Sequence, residues 1–188
     1  AYPVLGGVSE HVHFLSKDLA RRGHDVTIVT GNIGDAGETA ELDRRAHREH
    51  GYRTTRIGRS VPVVANGSIA RLTMGLGIKH QIATAIRGMD VVHAQGLASP
   101  TLPMGVLRVS TAPCTVGTFH TYFDEGHWMY ARIGRYVRTS LARLDRRIAV
   151  SEACITALSP YFPGDWDVVP NGIDWELYRP LPQGEHRP

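Results

Sequence analysis

The stretch Val4-Leu5-Gly6-Gly7-Val8 lies almost at the start of the chain and leads directly into a helix-like pattern. Apolar side chains recur from there at the spacing of one helical face: Val8, Val12, Leu15 and Leu19. Paired glycines let the backbone turn sharply and leave no side chain between the main chain and a ligand. The start of the following helix offers unpaired N–H groups to an anion or to sugar hydroxyls. Alone, the stretch predicts either a ligand-binding loop or an ordinary tight turn.

The next segment reads as half of a nucleotide-binding βαβ unit. Arg21, Arg22 and Gly23 are typical of a helix end, and residues 25–30 form a short β-branched strand. A glycine loop of this kind usually follows a strand. Only Ala1-Tyr2-Pro3 precede this one, so we expect the first strand of the sheet to be missing.

Composition indicates one well-buried globular domain. The chain has 188 residues, 42% of them hydrophobic, and a net charge of +3. This charge is compatible with phosphate-bearing ligands or an anionic membrane surface but decides neither. The two cysteines lie in separate apolar segments, and the sequence shows no signal peptide or spanning segment. These features predict a reduced, cytoplasmic protein with buried thiols.

The remaining chain alternates between predicted strands and helices. Residues 31–51 are polar and predict a solvated loop or a short surface helix. Asn66-Gly67 separates two β-prone runs and predicts a hairpin. Further strands are predicted at residues 52–57, 90–94, 114–119, 147–150 and 166–169. Further helices are predicted at residues 78–86, from Ser99-Pro100, at residues 128–144, and after a cap at Ser151.

This alternation predicts an α/β fold with a doubly wound, mostly parallel sheet, Rossmann-like in kind. Ligands bind such sheets outside the carboxyl ends of the strands. The rule selects the Gly6-Gly7 loop, the loop after Thr30, His93, His120 and the region after Val150. With the Asn66–Arg71 bend on the same rim, the sequence predicts one binding site there.

Six motifs occur together in one order along the chain. They are Leu-Gly-Gly-Val-Ser-Glu-His-Val, Leu-Ala-Arg-Arg-Gly-His-Asp-Val-Thr-Ile-Val-Thr, Asn-Gly-Ser-Ile-Ala-Arg, Gly-Thr-Phe-His-Thr, Ile-Ala-Val-Ser and Val-Pro-Asn-Gly-Ile-Asp. The set resembles the N-terminal domain of a retaining GT-B glycosyltransferase of family 4, and it is most similar to phosphatidylinositol mannosyltransferases. The resemblance covers nearly the whole chain.

The resemblance implies an acceptor-side domain over residues 1–170 and the start of an interdomain linker over residues 171–188. The C-terminal donor-binding domain that the resemblance implies is expected to be absent from this chain, so this part alone is expected to be inactive. The implied reaction moves a hexosyl group, with mannose suggested by the nearest branch, to a polyol, phosphoinositide-like or other glycan acceptor. The implied donor is a nucleotide sugar such as GDP-mannose or a UDP-sugar, and neither cofactor nor metal is expected.

The resemblance also assigns roles to individual residues. Gly6 and Gly7 match the loop that approaches the donor phosphate and transferred sugar, and His120 matches the active-site histidine. Four residues match acceptor-side positions: Asn66, Ser68, Arg71 and Thr121. His93 stays open between a structural and a functional role, and His11 is expected only to cap or pack.

Two other functional classes remain as alternatives. One is a non-catalytic sugar- or nucleotide-binding module. The other is an NAD-type oxidoreductase, which the absence of a G-x-G-x-x-G run argues against. We expect no nucleic acid partner and a cytoplasmic location, with peripheral contact at the inner face of the cell membrane left open. Residues 75–88 carry only Lys79, His80 and Arg87 as cationic candidates, which is little for stable attachment to anionic lipid.

Overall fold

The computed structural model describes residues 6–34, 36–65, 68–97, 102–122, 134 and 137–172; for Ala36 and residues 64–65 and 68–70 it describes the backbone alone. Helices and strands alternate along most of these ranges. The helices are α1 Gly7–Arg21, α2 Ala36–His50, α3 Ile78–Ala85, α4 Leu102–Val109 and α5 Glu152–Leu158. The strands are β1 Thr27–Asn32, β2 Arg53–Ala65, β3 Ser68–Met74, β4 Val91–Gln95, β5 Cys114–Phe119, β6 Arg146–Ala149 and β7 Asp167–Val168. Residues 137–141 are also helical.

The strands form two sheets. The first has the order β1-β2-β3, and the second has the order β4-β5-β6-β7. Every pair is parallel except β2 and β3, which form an antiparallel hairpin with Ala65 opposite Ser68. This register places two residues at the bend, so the predicted hairpin is confirmed. The predicted class, a mostly parallel α/β fold, is also confirmed.

The division between the sheets falls between β1 and β4. Within the described ranges, β1 pairs only with β2, and β4 pairs only with β5. Each therefore has one edge without a described partner, which is where a further strand could add to a sheet. The predicted loss of a first strand concerns the chain before Gly6, which lies outside the described residues.

One hydrophobic core joins the two sheets. Ile57 of β2 belongs to the same buried cluster as Ile82 of α3, Leu107 of α4 and Phe119 of β5. Helices α3 and α4 pack against each other and against strands of both sheets. Full burial of such a side chain contributes about 1.5–3 kcal/mol. This shared core fixes the ends of β4 and β5 relative to the rest of the domain.

Strand β2 is longer than the sequence predicts because a bulge interrupts its pattern. Gly58 has φ +52°, and a Cβ there would lie 2.7 Å from the carbonyl oxygen of Met74. The register with β1 shifts at the same place, and the Asn32 amide donates to the Gly58 carbonyl at 2.7 Å. Only glycine tolerates both the conformation and the close approach. The strand predicted at residues 52–57 and the β-prone run that precedes Asn66 are therefore one strand.

Helix α2 replaces the predicted loop or short surface helix. Its exposed face carries ion pairs at helical spacing, including Arg45–Glu49 at 2.7 Å. Its other face is held by Asp43, which accepts from Arg56 of β2 at 2.7 and 2.8 Å. The low apolar content concealed this helix, because a polar pair contributes to its docking and the apolar residues beside it, Leu42 and Ala46, are few.

Other predictions have mixed outcomes. The Ser151 cap is confirmed, since its Oγ accepts from the Cys154 amide at 3.3 Å. Both thiols are free, but only Cys154 is buried, so the prediction of two buried thiols is wrong for the half-buried Cys114. Most of the predicted helix over residues 128–144, and the Ser99-Pro100 start, lie outside the described residues. Across the described ranges, no helix is both long and apolar enough to cross a membrane.

Candidate active site

The Gly6-Gly7 loop opens helix α1. In the described part of the chain, the helix N-terminus has no side-chain cap. Among the described residues, no atom lies within 4 Å of a Cβ built on Gly6 or Gly7, so this part of the chain leaves space beside the loop. Uncapped N–H groups next to open space can receive an anion or hydroxyl groups. The roles predicted for both glycines toward the donor fit this geometry and stay predictions.

His120 follows the end of β5 directly. The buried Phe119 anchors the strand end in the core, and the half-buried His120 ring comes next. The Nε2 atom of His120 lies 2.7 Å from Oε1 of Gln95, the last residue of β4. Because β4 and β5 are parallel with Gln95 opposite Thr118, their carboxyl ends bring these side chains together.

His93 lies two residues before Gln95, on the same face of β4. Its Nε2 atom is 2.7 Å from the Thr118 hydroxyl and 3.2 Å from the Gln95 amide nitrogen. The ring keeps a solvent-exposed edge, yet burial of the rest and then the charge of His11 lower its pKa to about 4. His93 therefore belongs to the hydrogen-bonded group around His120, and this position favours a functional role for His93 over a structural one.

His11 of α1 completes the cluster from the helix side. Its ring meets the His120 ring edge-on, with the two centroids 4.9 Å apart. Burial lowers the pKa of His11 as well. The expectation that His11 only caps or packs is therefore incomplete, because the helix that carries the glycine loop also places this ring against His120. We call His11, His93 and His120 the strand-end histidine cluster.

The cluster is uncharged at neutral pH. Burial, followed by the charges of His11 and His93, lowers the pKa of His120 to about 4. Neutral imidazoles offer one donor and one acceptor each, so His120 can orient hydroxyl groups but supplies no fixed positive charge. A phosphate bound beside this cluster would therefore need its counter-charge from another group, such as the N-terminus of helix α1.

The predicted acceptor residues are described unevenly. Arg71 lies on β3 opposite Pro62 and is exposed to solvent, and among the described residues it forms no ion pair. Ser68 is described by its backbone alone, at the start of β3, and Asn66 lies outside the described residues. Thr121 follows His120 and is half-buried. The described hydrogen bonds and ring contacts of the strand-end cluster come from α1, β4 and β5, not from this hairpin.

The described residues contain no group of three or more His, Cys, Asp or Glu side chains arranged to hold a metal ion. Gln95 is the site residue that the sequence analysis missed. The rule that parallel strands meet at their carboxyl ends also selects this last residue of β4, directly before Gly96. A histidine at a strand end is a functional candidate because its side chain titrates, whereas a glutamine side chain does not titrate.

Comparison with known proteins identifies the family. The sequence profile of Glycosyltransferase Family 4 matches residues 5–177. The chain belongs to this family. The match includes the glycine loop, both strand ends and the hairpin.

Individual relatives are enzymes of phosphatidylinositol metabolism by name. The phosphatidyl-myo-inositol mannosyltransferase of Propionibacterium freudenreichii is 31% identical over 96% of this chain and 48% of its own length. The Mycobacterium tuberculosis protein of the same name is 30% identical over 95% of this chain and 44% of its own length. The phosphatidylinositol N-acetylglucosaminyltransferase GPI3 subunit of Saccharomyces cerevisiae is 26% identical over 95% of this chain and 39% of its own length. The chain spans about half the length, or less, of the curated relatives it matches.

Proposed function

We propose that this chain is the acceptor-binding half of a retaining glycosyltransferase. It would take part in transfer of a hexosyl group, with mannose as the first candidate, from a nucleotide sugar such as GDP-mannose or a UDP-sugar. The observation that carries the proposal is the ring contact between His120 and His11, which lies on the first turns of α1 after the Gly6-Gly7 loop. The names of the relatives support a phosphoinositide-like acceptor.

In this proposal the start of α1 approaches the donor phosphate and leaves room for the sugar. A neutral His120 would hydrogen-bond sugar hydroxyls near the reacting carbon, while a second domain, outside this chain, would hold the nucleotide. Arg71 would grip the acceptor's phosphate, since guanidinium groups bind phosphate bidentately. Asn66, Ser68 and Thr121 would position the polyol. The proposed location is the cytoplasm, with peripheral contact to an anionic membrane.

The test is a transfer assay on the complete protein that contains this chain. Labelled GDP-mannose is supplied with phosphatidylinositol vesicles or with soluble glycerophosphoinositol. We expect transfer to lipid, a loss of about 100-fold in Gly7→Val because the side chain fills the donor space, and a similar loss in Arg71→Ala. The exposed Arg21, in the last turn of α1 at the opposite end from the glycine loop, gives the matched control Arg21→Ala, which should retain activity.

The outcomes separate the alternatives. Binding of glycerophosphoinositol or nucleotide sugar without any transfer would favour a non-catalytic binding module. Equal transfer to soluble and vesicle-bound acceptor would remove the membrane contact from the proposal. Full activity in both Gly7→Val and Arg71→Ala would overturn the site assignment.

A further inference from the structure

Gln95 bridges two histidines of the strand-end cluster. Its Oε1 atom lies 2.7 Å from Nε2 of His120, and its Nε2 atom lies 3.2 Å from Nε2 of His93. The backbone holds this position, because the amide of the next residue, Gly96, donates to the Thr118 carbonyl at 3.0 Å. The side chain therefore starts from a fixed point between the two rings.

The chemistry of the amide assigns the proton on His120. A carboxamide oxygen can only accept, so the Nε2 atom of His120 has to donate to Oε1 of Gln95. A carboxamide nitrogen can only donate, so Gln95 donates to the ring of His93, whose Nε2 and Nδ1 atoms lie 3.2 and 3.4 Å away. The two contacts define one direction of hydrogen bonding, from His120 through Gln95 to His93.

We propose that Gln95 is a positioning residue that holds His120 in the tautomer with its proton on Nε2. The role rests on the proposed function, because it matters for transfer only if His120 contacts the sugar or the acceptor. The Nδ1 atom then carries the lone pair and can accept a hydrogen bond from a substrate hydroxyl. The opposite tautomer would present a donor at Nδ1 and could not accept there.

Two substitutions of similar size separate the acceptor function of Gln95 from its bulk. Gln95→Glu keeps an oxygen that accepts from His120 but removes the donor to His93. Gln95→Leu keeps the approximate volume and removes both polar groups. His120→Gln identifies the resonances of His120 in spectra, and the exposed His80 serves as an internal reference in every variant.

The first measurement is ¹⁵N NMR of the histidine side chains in this chain, which reports the tautomer without any need for catalysis. We expect a protonated Nε2 in the wild type and in Gln95→Glu, and a mixture of tautomers in Gln95→Leu. The added carboxylate should raise the pKa of His120 in Gln95→Glu, against the opposing charges of His11 and His93. A wild-type His120 protonated on Nδ1, or unchanged His120 shifts in Gln95→Leu, would overturn the proposal. Should Gln95→Leu fail to fold, the wild-type tautomer and the Gln95→Glu titration still decide the question.

The second measurement is transfer by the complete protein. We expect Gln95→Leu to lower kcat about three- to tenfold with little change in KM, as for the loss of one hydrogen bond to a positioned group. Gln95→Glu should recover the rate at pH values above the raised pKa of His120. If the tautomer result holds but transfer is absent in the wild type, the proposed function fails and the positioning of His120 stands. If transfer is present but Gln95→Leu and the wild type share both tautomer and rate, the positioning role fails alone.

Discussion

Helix α1 contributes to two histidine clusters that have opposite characters. His11 belongs to the strand-end histidine cluster, where its ring contacts that of His120. His13, two residues later, turns to the other side and meets His50 of α2 and Tyr52 at the foot of β2. We call these three residues, His13, His50 and Tyr52, the helix-packing cluster. The same residue type on one helix therefore serves a candidate site on one side and packing on the other.

In the helix-packing cluster, the side chains of His13 and Tyr52 hydrogen-bond to each other. The Nδ1 atom of His13 lies 2.8 Å from the hydroxyl of Tyr52, which is only 3% exposed. His13 and Tyr52 line a small cavity together with Asp43, which is paired with Arg56. In the strand-end cluster, by contrast, His93 and His120 lie at the carboxyl ends of parallel strands, where such sheets bind ligands. The position in the sheet therefore makes a histidine a functional candidate, and a perturbed pKa alone does not distinguish the two clusters.

The largest expected difference is in catalysis. His120→Ala should lower kcat/KM for transfer by the complete protein about 100-fold, as for removal of one positioned polar group from an active site. His13→Ala should leave kcat/KM within about threefold, because the described contacts of His13 with His50 and Tyr52 lie in the helix-packing cluster. His13→Ala should instead lower the free energy of unfolding by about 1–2 kcal/mol, because the buried Tyr52 hydroxyl loses its hydrogen-bond partner.

Paired transfer kinetics and urea unfolding of the two variants make this comparison. Equal losses of activity in His120→Ala and His13→Ala would show that the two clusters act as one unit. A large loss of stability in His120→Ala with normal transfer would reverse the assignment of the two roles.

The next largest expected effect is on stability, and it distinguishes the docked face of α2 from its exposed face. Asp43→Ala should lower the free energy of unfolding by about 2 kcal/mol, because it removes the carboxylate paired with the nearly buried Arg56. This figure is below that of a fully buried pair, since Asp43 is partly exposed. Glu41 lies two residues earlier on the exposed face, where it pairs with Arg44 and Arg48.

Glu41→Ala is the matched control for Asp43→Ala. Exposed ion pairs contribute little in water, so its urea midpoint should stay close to the wild-type value. Similar midpoints for the two variants would show that the Asp43–Arg56 pair does not dock α2.

The glycine loop and His120 illustrate what could be predicted from sequence. Alternating strands and helices imply a parallel sheet, and its carboxyl ends collect the ligand residues. That rule, with the resemblance, placed Gly6, Gly7 and His120 in one candidate site and also flagged His93. The hairpin followed from Asn66-Gly67, since few other dipeptides adopt the required turn.

The sequence did not predict the contact of Gln95, the length of α2 or the bulge in β2. The physical reason differs for each. Gln95 acts through its partner across the sheet, which depends on the register of β4 with β5. Helix α2 docks partly through the Asp43–Arg56 pair, and the apolar side of this polar helix carries only Leu42 and alanines, which makes a weak pattern. The bulge at Gly58 arises from its close approach to Met74, a contact far away in sequence.

The smallest expected effect is a pH dependence that sharpens the contrast between His120 and His13. The folded-state pKa of His120 is about 4, against an ordinary value of 6.5, so the unfolded chain binds more protons between these two values. The contribution of His120 to stability is therefore complete above pH 6.5 and declines as the pH falls toward 4. Replacing His120 by Gln should flatten the acid side of the stability profile.

The pKa of His13 is also lowered, by burial and then by His50, but nearby Glu10 opposes the shift. His13→Gln should therefore flatten the profile less than His120→Gln does. Lys17 adds a further small lowering of the His13 pKa, which is shared by all variants that keep His13. Urea midpoints of the wild type and both variants, measured from pH about 7.5 to about 4.5, give the three slopes. Parallel profiles would show that neither ring loses protons on folding. If His13 contributed more than His120 to the pH dependence of stability, the helix-packing cluster would contain the more strongly desolvated histidine. That result would contradict the proposed difference between the two clusters.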